Sequence, residues 1–170
     1  MPVQVMATLA QERLAQERKD WRKNRPFGFA AKPVTRDDGS VDMLTWTCSV
    51  PGKAGTPWEG GSYPVTLEFP SEYPNKPPVA KFKPGFYHMN VYPDGKVCLS
   101  ILDDDDELCG QWSPSITLTQ ILTGIQELLT NPNPHSPANP KVYDDWKKSP
   151  GIYEKFVKTQ VAMYPPGADV

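Results

Sequence analysis

MLTWTCSV, Met43–Val50, alternates along its whole length: Leu44, Trp46, Cys48 and Val50 point to one face of an extended chain, and Thr45, Thr47 and Ser49 to the other. A period of two built from aromatic, β-branched and small residues describes a strand with one buried face. Three further strand candidates flank it: FGFAAKPV (27–34), YPVTLEF (63–69) and VAKF (79–82). Their links are short and turn-rich, at Asp38-Gly39, from Gly52 to Gly61 and from Tyr73 to Pro78. The predicted sheet is a four-stranded antiparallel meander.

Outward from the sheet the pattern changes to helix. Residues from about 5 to 23 are rich in good helix formers and end before Pro26, with a thin apolar stripe of Met6, Leu9, Ala10, Leu14 and Trp21. After the strands, Lys83 to Ser115 carries little regular signal and includes the acidic run DDDDELCGQW (103–112). A loop of that length in a compact domain is usually functional. Thr117 and Gln120 then form a capping box, with Ile116 and Ile121 as its hydrophobic staple. Leu118, Ile121, Leu122, Ile125, Leu128 and Leu129 recur at helical spacing up to Asn131-Pro132. Two more helices are predicted over 138–147 and 150–163. Strands followed by helices give an α+β fold, read as one domain over residues 1–170.

Composition narrows the class. Hydrophobic residues make up 38% and charged residues 22%, as in a soluble globular protein. No apolar run approaches the ~20 residues of a membrane span, and the first residues lack the pattern of a secretory signal. Three cysteines with no CxxC pair argue against a disulfide framework or a zinc site and for a reducing, intracellular setting. The net charge of −2 divides into +3 over residues 1–25 and −5 over the rest. A basic end on an acidic body points to a partner surface there, or to a solvated helix face.

Each cysteine has its own context. Cys48 is in phase with Leu44 and Trp46 and reads as a small core residue. Cys109 lies among carboxylates, which raise a thiol pKa and make a sluggish nucleophile. Cys98 sits in FYHMNVYPDGKVCLSIL (86–102), after the turn Tyr92-Pro93-Asp94-Gly95 and close to His88 and Asn90. Local composition favours a partly buried structural Cys98. A metal site with His88 is short of ligands, and no hydrolase signature surrounds this cysteine.

The whole chain is more specific than any one segment. RLAQERKDWRKNRPFGFAAKP, VPGKAGTPWEGGSYP, EYPNKPP, FYHMNVYPDGKVCLSIL, SITLTQILTGIQELL and NPNPHSPA together cover nearly all of residues 8–164. In that combination the chain resembles the SUMO-conjugating branch of the ubiquitin-conjugating enzyme superfamily. The resemblance implies an active-site loop between the sheet and the last three helices. It implies a transferase that accepts SUMO from an activating enzyme as a Cys98 thioester and passes it to substrate lysines as an isopeptide bond. Asn90 would then stabilise the oxyanion or support the loop. Tyr92, Lys96, Ser136, Pro137 and Ala138 would form the acceptor-lysine groove. Arg18, Arg22, Lys23 and Arg25 would bind the activating enzyme and a second, non-covalent SUMO.

The same resemblance implies SUMO ligases and lysine-containing proteins as partners, no nucleic acid and no membrane. It implies no cofactor and no metal, ATP being used by the activating enzyme, and a nuclear and cytoplasmic setting. The chain departs from the family at several points. Met89 stands where the family has a stiffening Pro, which leaves the turn before Asn90 looser. Asp94, Lys96 and Val79 replace residues that read the acceptor's glutamate, and the 103–111 insertion lengthens the loop after Cys98. A ubiquitin-conjugating enzyme, or a non-catalytic SUMO-binding scaffold of the same fold, are the alternatives.

Overall fold

A computed structural model describes residues 6–108 and 110–167. The elements run α1 (Leu9–Asn24), β1 (Ala30–Thr35), β2 (Val41–Pro51), β3 (Ser62–Glu68), β4 (Val79–Lys81), α2 (Leu118–Thr130), α3 (Pro140–Lys148) and α4 (Pro150–Met163). The four strands form one antiparallel sheet in the order β1-β2-β3-β4. The α+β meander and the three following helices stand as expected.

The alternation in β2 dictates the core. Trp46 pairs with Leu67, Cys48 with Val65 and Val50 with Tyr63, and all six are buried on one face. Against that face α2 lays Leu118, Ile121, Leu122, Ile125, Leu128 and Leu129, each buried, so its apolar stripe is the one the spacing predicts. Thr117 and Gln120 close the capping box. Trp46 and Leu67 on the sheet and Ile121, Leu122 and Ile125 on α2 are all 0% exposed, the mark of a sheet and helix in full contact.

The ends of the first two elements differ from expectation. Helix α1 begins at Leu9, where Thr8 supplies a second capping box with Gln11. Met6 and Leu9 are exposed, so the stripe reduces to Ala10, Leu14 and Trp21, with Glu17 buried among them. Strand β1 begins at Ala30: Gly28 at φ 85 turns the chain, and Phe27 points into solvent while Phe29 packs on Trp21. Between β4 and α2 lie two short 3-10 turns, Ser100–Leu102 and Asp106–Leu108, that periodicity did not reveal. Among the described residues no helix is long and apolar enough to cross a membrane.

Candidate active site

After β4 the chain doubles back and lies along its edge. Phe82 N–H donates to Gly95 O at 2.9 Å and Val97 N–H to Ala80 O at 2.9 Å. Gly95 has φ 99, and a Cβ there would stand 2.1 Å from Phe82 O, so only glycine fits this return. The Tyr92–Gly95 turn, with Lys96 N–H donating to Asp94 Oδ1 at 3.0 Å, completes a small ribbon. Cys98 ends it, its N–H donating to Asn90 O at 2.8 Å.

A buried polar group underlies this ribbon. His88 is 1% exposed; its Nδ1 accepts the Asn90 N–H at 3.0 Å, and its Nε2 lies 2.9 Å from Leu128 O. That pairing assigns the proton to Nε2. Burial brings the imidazole down to about 4, so His88 is neutral, and both nitrogens are occupied. It is a brace and no base for Cys98. The Tyr87 backbone is held on both sides by Gln160, whose Oε1 accepts the Tyr87 N–H at 2.7 Å and whose Nε2 donates to Tyr87 O at 3.0 Å.

Asn90, 0% exposed, joins two remote segments. Its Nδ2 donates to Asn133 O at 2.8 Å and Ser136 O at 3.0 Å, and its Oδ1 accepts the Asn133 N–H at 2.8 Å. Both amide hydrogens are thus engaged by carbonyls. The arrangement ties the Cys98 ribbon to the 133–136 segment. Met89, expected to loosen this turn, is 1% exposed, and its carbonyl accepts N–H groups from Ala138 at 2.7 Å and Asn139 at 3.0 Å. Backbone bonds and burial hold the position where proline is missing.

Between the braced segments runs a groove of about 630 Å³, lined in part by Cys98, Tyr92, Lys96, Ser136, Asn133 and Asp103. Tyr92 is exposed, as are Lys96 and Ser136. Pro137 and Ala138 lie outside the lining; Ala138 is buried, its N–H spent on Met89. Asn133, His135, Lys76 and Asp103 line the groove without having been singled out in the sequence. The first two lie within NPNPHSPA, Lys76 within EYPNKPP and Asp103 at the start of the acidic run, so each sat in a quoted stretch without a role of its own.

Cys98 is free and half-buried. Burial raises its thiol pKa, the Asp103 carboxylate raises it further, and Lys96 opposes them. Cys48 is 0% exposed, and burial pushes its thiol far higher. Of the two, only Cys98 can meet a substrate. Cys109 lies outside the described residues.

Such a cleft needs a fold to interpret it, and the comparisons supply one. The family model described as ubiquitin-conjugating enzyme matches residues 13–161. The chain belongs to the ubiquitin-conjugating enzyme family. Among relatives, a SUMO-conjugating enzyme of Arabidopsis thaliana is 54% identical over 157 residues, which is 92% of this chain and 96% of that one. One from Dictyostelium discoideum is 47% identical over 161 residues, 95% of this chain and 99% of that one. A third, from Caenorhabditis elegans, is 45% identical, covering 94% of this chain and 93% of its own.

A second surface belongs to this ubiquitin-conjugating enzyme. Arg22, Lys23 and Arg25 are exposed and Arg18 is partly so. Phe27, fully exposed, stands beside them in sequence. FGFAAKPV predicts a strand from Phe27, but the Pro26-Phe27-Gly28 turn keeps this ring outside β1.

Proposed function

We propose that the chain is a SUMO-conjugating enzyme with Cys98 as its thioester nucleophile. The observation that carries the chemistry is a half-buried Cys98 thiol lining a braced groove, whereas Cys48 is sealed in the core. The names of the three relatives support SUMO over ubiquitin.

The activating enzyme consumes ATP and delivers SUMO on its own cysteine; this chain needs no cofactor. Cys98 Sγ attacks the C-terminal glycine carbonyl of SUMO, a C–S bond forms, and the activating enzyme's thiol departs with the proton. A neutral substrate lysine Nζ then attacks the same carbonyl. The C–N bond forms, the C–S bond breaks, and Cys98 leaves as thiolate while the nitrogen sheds a proton. A thiol suffices without a paired base, because thiolate is nucleophilic even as a minor fraction. Asn90 keeps the groove wall at Asn133–Ser136 in register with Cys98, and Tyr92 and Lys96 line the way in for the acceptor. Arg18, Arg22, Lys23 and Arg25, extended by Phe27, form the face for the activating enzyme and for a second, non-covalent SUMO. Ligases would bridge loaded enzyme and substrate.

A non-reducing gel tests this reading. With activating enzyme, ATP and SUMO, a thiol-sensitive adduct should appear and be absent in Cys98→Ala. An adduct with ubiquitin alone would assign the chain to ubiquitin transfer. No adduct at all, with SUMO still bound, would make it a scaffold.

A further inference from the structure

The groove holds a charge that the reaction as described above does not use. Asp103 lines it together with Cys98, Tyr92 and Ser136. It follows the 3-10 turn Ser100–Leu102, and its backbone is pinned on both sides: its N–H donates to Ser100 O at 3.1 Å, and its carbonyl accepts the Trp112 N–H at 3.0 Å. Its Oδ1 accepts the Asp105 N–H at 2.9 Å, which orients the carboxylate. Ser136, on the same groove, offers an uncharged hydroxyl.

The chemistry states what a fixed anion there does. When a neutral lysine Nζ attacks the thioester carbonyl, positive charge develops on nitrogen before its proton leaves. A carboxylate anchored in the wall of the same groove as the thioester stabilises that charge with little reorganisation. We propose that Asp103 receives the acceptor lysine at Cys98, holding the amine and stabilising the charge that grows on it during transfer. In this chain Asp103 then supplies at the active cysteine what the hydroxyl of Ser136 cannot. The nitrogen's proton passes to the carboxylate and on to water, so the step needs no other reactant. Asp104 also lines the groove, but among the described residues the anchored carboxylate is that of Asp103.

Such a charge has a cost at the preceding step. The same carboxylate disfavours the Cys98 thiolate. Removing it should therefore slow transfer to lysine while leaving charging equal or faster. A defect in folding would slow both.

The inference rests on the SUMO-conjugating reading, and single-turnover discharge separates the two. Asn at this position keeps an oxygen for the Asp105 N–H and deletes only the charge. Wild type, Asp103→Asn and Asp103→Glu are charged with SUMO, the activating enzyme is stopped, and the adduct is chased with free lysine or with hydroxylamine. Asp103→Asn should discharge to lysine about tenfold more slowly, an effect tempered by partial exposure and screening. It should lose clearly less with hydroxylamine, a far weaker base whose nitrogen gives up its proton more readily and so carries its positive charge only briefly. Asp103→Glu should recover part of the lysine rate, and added salt should narrow the gap between wild type and Asp103→Asn. Lysine discharge at the wild-type rate in Asp103→Asn overturns the role of Asp103. So does an equal fall in charging, lysine discharge and hydroxylamine discharge. If wild type forms no adduct with SUMO, the underlying reading fails instead.

Discussion

His88 and Cys98 are separated by one short turn, yet the fold gives them opposite tasks. The imidazole is sealed, neutral and committed to Leu128 O and the Asn90 N–H, while the thiol faces a groove. Sealing has a measurable consequence. The His88 pKa falls from 6.5 unfolded to about 4 folded. Between those values the unfolded chain binds the extra proton, so stability is full above about pH 6.5 and is lost as pH falls toward 4. The loss over that window should be roughly 3 kcal/mol. Urea denaturation at pH 7 and pH 4.5 should show it, and His88→Gln should flatten that part of the profile. Neither task was visible locally. Around Cys98 the composition is that of a structural cysteine, because what opens the site is Asn90 gripping Asn133 and Ser136, more than forty positions downstream. Only the pattern of the whole chain points to the thioester role proposed for the thiol.

Among the elements, α2 was the most legible and its contact with α1 the least. A capping box and six apolar positions at helical spacing state α2 outright, because local and tertiary demands coincide there. Glu17 breaks that agreement. On a surface helix a glutamate is expected in water, but here it is 6% exposed and accepts the Leu118 N–H at 3.2 Å, at the positive end of α2. Arg13 completes the joint, donating to Glu17 at 3.1 Å and to Pro114 O at 2.7 Å and Ile116 O at 3.2 Å. Glu17→Ala strands a buried N–H and leaves Arg13 uncompensated, so it should cost about 2–3 kcal/mol in urea denaturation. Glu17→Gln, which still accepts one bond, should cost clearly less. Equal losses for the two would mean that packing, and not charge, makes the joint.

At the scale of the molecule, strand order separates the two surfaces proposed for function. Phe27 and the basic end of α1 lead into β1, and the Cys98 ribbon lies along β4 through the Lys81 and Lys96 bridge. These are opposite edges of the sheet, three strand spacings or roughly 14 Å apart at the least. Binding at one edge should therefore be separable from chemistry at the other. Arg22→Glu with Arg25→Glu should weaken non-covalent SUMO binding by about tenfold or more at low salt, read by titration calorimetry. Once charged with excess activating enzyme, the same variant should discharge to free lysine at the wild-type rate. A slowed discharge would show that the two edges are coupled. The meander and its order were readable from alternation and turns; the ends of the elements were not, since Gly28 and Thr8 act through backbone geometry that a period does not encode.

Gln160 gives the site a place in time as well as in space. The Tyr87 N–H and carbonyl have their partners in one side chain near the carboxyl end of α4. During synthesis Cys98 leaves the ribosome long before that residue does. Until α4 emerges and docks, only water can satisfy these two backbone groups, so the segment leading to the thiol cannot take its final packed position. The nascent chain thus exposes Cys98 well ahead of the brace behind its groove, which is completed only when the last helix is delivered.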